Sequence, residues 1–220
     1  MKTLVISPHA DDEILGAGGT LFKRNVKKNN SINWLLVTMP AEPDYTKQFI
    51  KKRELQIKKI IKILKIKKFF NLNLKPSELD IVPKKLLIKN ITDIIKKVKP
   101  DEVFVPHISD VHTDHKVISE VISTCTKNFR FKFIKTILAY EVLSETNFNL
   151  QKKIFFKPNY YEDISKFLNK KINAIKIYKS EIKKFPFPRS VTTIKSLARV
   201  RGSEIGTDAA EAFEILKKIN

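Results

Sequence analysis

All four histidines of this 220-residue chain lie in two short acidic motifs. Ser7-Pro8-His9-Ala10-Asp11-Asp12-Glu13 stands near the start, and Pro106-His107-Ile108-Ser109-Asp110-Val111-His112-Thr113-Asp114-His115 in the middle. Imidazole nitrogens and carboxylate oxygens together suit a borderline divalent cation such as zinc. The first motif offers several of these donors on one tight turn, and because adjacent side chains diverge, Asp11 and Asp12 are expected to take different roles. One carboxylate can bind a cation while its neighbour accepts a proton from a water that the cation acidifies, a division of labour that suits hydrolysis. In the structural alternative, Asp12 or Glu13 caps a following helix and His9 is a turn residue.

In the second motif, His112 and His115 are three residues apart, about one helical turn, so they can share a face. If His115 holds a cation, His112 stands beside whatever that cation binds. Asp114 can orient one of the two histidines. His107 either lines the pocket or makes a structural hydrogen bond.

Both motifs need elements that bring them together. Leu4-Val5-Ile6 reads as a buried strand running into Pro8-His9, and Val103-Phe104-Val105 as another running into His107. Further strands are predicted at Trp34–Thr38, Phe69–Leu72 and Ile137–Tyr140. Helical spacing of apolar residues marks Tyr45–Ile66 and Leu86–Val98, with helices also expected from the glycine run to about Lys28, around Ile164–Tyr178 and at Ala209–Lys218. Strands alternating with helices imply a Rossmann-like three-layer α/β sandwich, with a mostly parallel sheet and helices on both faces. Ligands in such sheets sit beyond the carboxyl ends of the strands, where strand order switches, so both motifs open onto one edge. The run Gly16-Ala17-Gly18-Gly19 lacks the third glycine of a dinucleotide fingerprint, because Leu21 holds that position. Its glycines are read instead as allowing close packing of a helix on the sheet.

Length and a 42% hydrophobic content suit a single domain over residues 1–220. There is no apolar run of membrane-spanning length and no secretory signal, and Cys125 is the sole cysteine, so a cytoplasmic location is expected. The formal charge of +20 raises nucleic-acid binding, but only six of the 43 basic residues are arginine and the lysines are spread along the whole chain. That pattern describes a solvated lysine surface, not a specific nucleic-acid grip, although it could attract an anionic or lipid-linked substrate.

The two motifs closely resemble those of the PIG-L/LmbE family of zinc-dependent de-N-acetylases, which carry PHxDDE and HxDH. Pro8–Gly19 is similar to that family's PHPDDExLGxGG, with Ala10 at a usual proline. Arg53 matches the arginine of an RxxE helix from which Gln56 and Lys65 depart, and Tyr140-Glu141, Tyr178-Lys179-Ser180-Glu181, Arg201-Gly202 and Ala210-Glu211-Ala212-Phe213 are similar to later landmarks. The resemblance implies His9, Asp12 and His115 as ligands of Zn2+, with Fe2+ or another divalent transition metal as the alternative. It implies Asp11 as general base, protonated His112 as the group beside the reacting centre, Asp114 as the residue tuning His112, and Arg53 as a substrate contact. Some members carry a tyrosine where this chain has Asp110. The substrate implied is an N-acetylglucosamine-type sugar or glycoconjugate, and a homo-oligomer is left open. Two rivals remain: a non-catalytic zinc-binding relative that binds acidic glycans or other polyanions, and a non-haem iron site, disfavoured because the familiar ones sit in β-barrels.

Overall fold

The computed structural model describes residues 1–150 and 153–219. Its centre is one seven-stranded sheet built from β1 (Lys2–Ser7), β2 (Ser31–Thr38), β3 (Lys68–Leu74), β4 (Glu102–Pro106), β5 (Thr136–Tyr140), β6 (Tyr160–Asp163) and β7 (Ala210–Lys218). The spatial order is β3-β2-β1-β4-β5-β7-β6. Pairings from β3 through β5 are parallel, and β7 runs antiparallel to both β5 and β6. Its helices are α1 (Asp12–Asn25), α2 (Lys47–Ile63), α3 (Lys84–Val98), α4 (Thr113–Cys125), α5 (Leu168–Ile175) and α6 (Val191–Ser203).

The central strands read as unbroken apolar runs because both of their faces are covered. Val5, Trp34, Leu36 and Phe104 pack under α1, α2 and α5, while Leu4, Ile6, Leu35, Val103 and Val105 pack under α3 and α4. The expected three layers are therefore present. No helix among the described residues is long and apolar enough to cross a membrane.

Two expectations are corrected. The segment expected as a helix over Ala209–Lys218 is instead the strand β7, Ala210–Lys218: Ala, Glu, Leu and Lys favour helix locally, but the slot between β5 and β6 imposes a period of two. In it, Glu211, Phe213 and Ile215 face α1 and its core. The helix expected over Ile164–Tyr178 shortens to α5, and its first residue, Ile164, lies buried just past β6, a strand the sequence did not announce.

The glycine run lies inside α1 rather than before it. A Cβ at Gly16 would collide with the ring of Tyr140 on β5, and one at Gly19 would stand 2.7 Å from Ile164 Cδ1. The helix bearing the first motif thus packs against its support at a distance only glycine permits.

Candidate metal centre

β1 has β2 on one side and β4 on the other, so the chain winds outward in one direction from β1 and returns to start again at β4. This is the switch point of the sheet, and crevices form beyond the strand ends at such points. His9, Asp11 and Asp12 follow β1 on the turn into α1; His112 and His115 follow β4 at the start of α4.

Three donor atoms meet there. His9 Nδ1 is 3.2 Å from His115 Nε2 and 3.5 Å from Asp12 Oδ2, and His115 Nε2 is 3.3 Å from the same Asp12 oxygen. For zinc with bonds of about 2.0–2.1 Å, the edge of a tetrahedron is about 3.3 Å. The three separations therefore match one face of that tetrahedron, and the fourth corner is left to the cavity. The donor set fits a divalent cation.

Each imidazole is also anchored from behind. His9 Nε2 is 2.9 Å from Asp114 Oδ2, and His115 Nδ1 is 2.8 Å from Asp110 Oδ2. Such carboxylates fix the ring orientation and make the ligating nitrogen more basic. Asp114 is itself held by the Ser77 and Leu79 amides, and Asp110 by the Thr146 hydroxyl at 2.6 Å. The Asp114 carboxylate thus reaches His9, while its backbone N–H donates to His112 Nδ1 at 3.2 Å. The Asp110 carboxylate performs a task that the motif comparison did not suggest.

The charges agree with the geometry. Burial alone would lower the pKa of His9, but Asp114 and Asp12 raise it to about 9. Burial likewise opposes protonation of His115, and Asp12 and Asp110 override it. Asp12 is held well below the carboxylate range by those two histidines despite its burial. The cluster is a trap for positive charge, whether protons or a metal ion.

Asp11 behaves in the opposite way. Burial and the neighbouring Asp12 push its carboxyl up to about 6, with Arg189 pulling the other way from 3.0 Å. Its backbone N–H donates to Glu13, whose other oxygen accepts the Tyr178 hydroxyl at 2.8 Å. His112 caps α4 by accepting the Asp114 N–H at Nδ1, which leaves Nε2 to carry the proton of a neutral ring. Burial and the charges of His9 and His115 lower its pKa to about 4. This shift favours a neutral ring over the protonated His112 expected from the sequence.

Arg53 borders the cavity, with both terminal guanidinium nitrogens bonded within the protein and its buried Nε–H without a partner among the described residues. It donates to the Ala10 carbonyl at 2.5 Å, to Ser180 Oγ at 3.2 Å and to Glu181. In this position it braces the turn that carries Asp11, an arrangement that does not favour the expected substrate contact. His107 is buried against Ser109, Glu214 and Phe156, and does not line the cavity.

The remaining walls were not foreseen. A cavity of about 190 Å³ opens over the triad, lined further by Tyr45, Phe49, Glu145, Glu181 and Arg189. The signal available for Arg189 was that arginine is scarce in this lysine-rich chain.

A mostly parallel α/β sheet presents, at its switch point, two histidines and one carboxylate that could hold a metal ion, with a separate buried acid beside them. Residues 4–126 match the family model PIG-L, described as GlcNAc-PI de-N-acetylase, and the chain belongs to that family. It is 25% identical over 232 residues to diacetylchitobiose deacetylase of Thermococcus kodakarensis, spanning 99% of this chain and 84% of that protein. Among solved structures, the N,N'-diacetylchitobiose deacetylase of Pyrococcus horikoshii superposes with a TM-score of 0.77 at 23% identity, covering 98% of this chain and 84% of that one. The 4-carboxy-2-hydroxymuconate hydratase of Pseudomonas putida gives the same TM-score at 15% identity, with 100% and 98% coverage. The fold thus hosts more than one reaction, and function has to be argued from the site.

Proposed function

We propose that the chain is a divalent-metal-dependent N-deacetylase, removing the acetyl group from an N-acetylglucosamine-type sugar and releasing acetate. The observation carrying this reading is the His9–Asp12–His115 triangle, which leaves one face toward a cavity that also holds an independent acid. Deacetylase relatives spanning almost the whole chain support it.

A cation held by His9, Asp12 and His115 would supply Lewis acidity, making water a nucleophile near neutral pH and polarising the amide carbonyl. Asp11 accepts the proton of the attacking water, a task suited to a carboxyl raised toward neutrality. The neutral His112 donates its Nε2 proton as a hydrogen bond to the acetyl oxygen while negative charge builds there. As the carbon–nitrogen bond breaks, Asp11 returns its proton to the departing nitrogen, leaving acetate and a free amine. Arg53, through Ala10, and Glu13, through the Asp11 amide, keep the base in place. None of the described cavity-lining residues is lysine, which speaks against the polyanion-binding alternative.

The test is acetate release from a panel of N-acetylated sugars, before and after chelation and with zinc or Fe2+ restored. Metal-dependent acetate supports the proposal; none from any sugar with full metal occupancy contradicts it.

A further inference from the structure

A second cavity, of about 190 Å³, lies at the other end of the strands from the metal centre. Lys2 and Ser31 open β1 and β2 side by side, and Lys68 opens the neighbouring β3. The carboxyl end of α3 closes the hollow from above with Val98 and Lys99. β1 is six residues long, so at about 3.3 Å per residue it holds this cavity about 20 Å from His9.

Five lysines line it: Lys2, Lys67, Lys68, Lys97 and Lys99. Other lysines of the chain are matched, as Lys23 is to Glu162, Lys84 to Glu120 and Lys171 to Glu211. Among the described residues, none of these five has a carboxylate within ion-pair distance of its ammonium, and no carboxylate or histidine lines the hollow. The opposing charges at this edge are few. Asp101 accepts the Lys2 backbone N–H at 2.6 Å, and the α3 terminus contributes about half a negative charge. Glu102 on the adjacent β4 is already paired with Arg24. A positive excess therefore remains.

The α3 dipole accounts for Lys97 and Lys99, since cations favour a helix carboxyl end. It does not account for Lys2, Lys67 and Lys68, which come from the starts of two strands and reach the same space. A concave wall of one sign focuses its field into the hollow and concentrates counter-ions there. Ammonium groups serve phosphate oxygens as point charges, and the Ser31 hydroxyl, without a partner among the described residues, adds a neutral donor. No aromatic ring lines the cavity, so it has no surface for a base or a sugar face. One phosphate dianion falls short of neutralising five ammonium groups; two or more approach it.

We propose that this cavity is a second binding site, separate from the metal centre, for a small soluble anion carrying two or more phosphate groups. The site is independent of the deacetylase reading.

The test is a titration of ¹⁵N-labelled, zinc-loaded protein with fructose 1,6-bisphosphate at fixed ionic strength, followed by amide spectra, with inorganic phosphate in parallel. The amides of Lys2, Ser31, Lys68 and Lys99 should shift saturably while those of His9 and His115 stay still. The bisphosphate should bind about tenfold or more tighter than phosphate, the scale of one further charge-assisted hydrogen bond. Lys68→Glu with Lys97→Glu should weaken it about tenfold or more, and the glutamine pair should weaken it in the same direction if the glutamate pair folds poorly. Lys58→Glu with Lys59→Glu, exposed on α2 and equal in net charge change, should stay within about twofold of wild type. Equal losses in both glutamate pairs would show attraction by net charge alone and overturn the site. Shifts centred on His9, or no saturation at millimolar probe, would overturn it as well. Sedimentation with phosphatidylserine vesicles covers the lipid source: retention that depends on Lys68 and Lys97, without saturable binding of the soluble probe, would contradict the soluble ligand.

Discussion

Replacing Asp110 tests whether the triangle is a metal site or a cluster of ordinary ion pairs. Asp110 Oδ2 lies 2.8 Å from His115 Nδ1, both residues are almost wholly buried, and the other Asp110 oxygen is fixed by Thr146 at 2.6 Å. Water therefore has no easy way to replace the lost carboxylate. Asp110→Asn keeps an acceptor for the imidazole but loses the charge, whereas Asp110→Ala loses both and frees the ring to change tautomer. Carboxylates behind a ligating histidine are worth about 10–100-fold in metal affinity, roughly 1.4–2.7 kcal/mol. We expect zinc affinity to fall about tenfold in the asparagine variant and about 100-fold in the alanine variant. Competition against a chelating dye measures both, with circular dichroism confirming that the fold survives. If both variants bind zinc within about twofold of wild type, Asp110 does not support a ligand and the assignment of His115 is undermined.

Other outcomes follow from the same geometry. Asp11→Asn should retain stoichiometric metal while kcat for acetate release falls by about 10²–10⁴, and near-normal turnover would remove Asp11 as the base. Gly16→Ala would gain about 1 kcal/mol of helix propensity, but overpacking against Tyr140, whose hydroxyl is pinned to the Ile6 carbonyl at 2.9 Å, costs about 1–3 kcal/mol. A net loss of stability is expected in denaturant titration; an unchanged midpoint would show that the ring can yield. Burial would raise the Glu162 carboxyl, but hydrogen bonds from Arg24, Lys23 and Tyr160 outweigh it and hold its pKa at about 2. Because that folded pKa is depressed, its stabilisation is present above the ordinary carboxylate pKa of about 4.3 and is lost as pH falls toward 2. Thermal melts of wild type should therefore drop more steeply over that window than those of Glu162→Gln, and parallel curves would refute the linkage.

The sheet was largely legible because its central strands are buried on both faces and so appear as bare apolar runs, as in Leu4-Val5-Ile6 and Val103-Phe104-Val105. That both motifs open onto one edge was legible because each follows a strand of a parallel sheet, whereas the choice of His9, Asp12 and His115 among their donors came from the family resemblance. The antiparallel edge was not, since Ala210–Lys218 carries helix-forming residues and becomes a strand only through partners far away in sequence. The orientation of Asp114 was equally hidden: spacing places it beside His112, but which ring its carboxylate reaches depends on the Ser77 and Leu79 amides that arrive from another segment. Arginine scarcity proved informative in hindsight. Arg24, Arg53, Arg189 and Arg201 all sit in ion pairs with carboxylates, where a planar fork cannot be replaced by lysine without loss.

The most direct test of the account is a crystal structure of the zinc-soaked protein with anomalous data collected at the zinc edge. The account predicts a single strong peak about 2.0–2.2 Å from His9 Nδ1, Asp12 Oδ2 and His115 Nε2, with its fourth position facing the cavity. A peak on the far side of His9, between His112 and Asp114, or no peak within bonding distance of those three atoms, would contradict it.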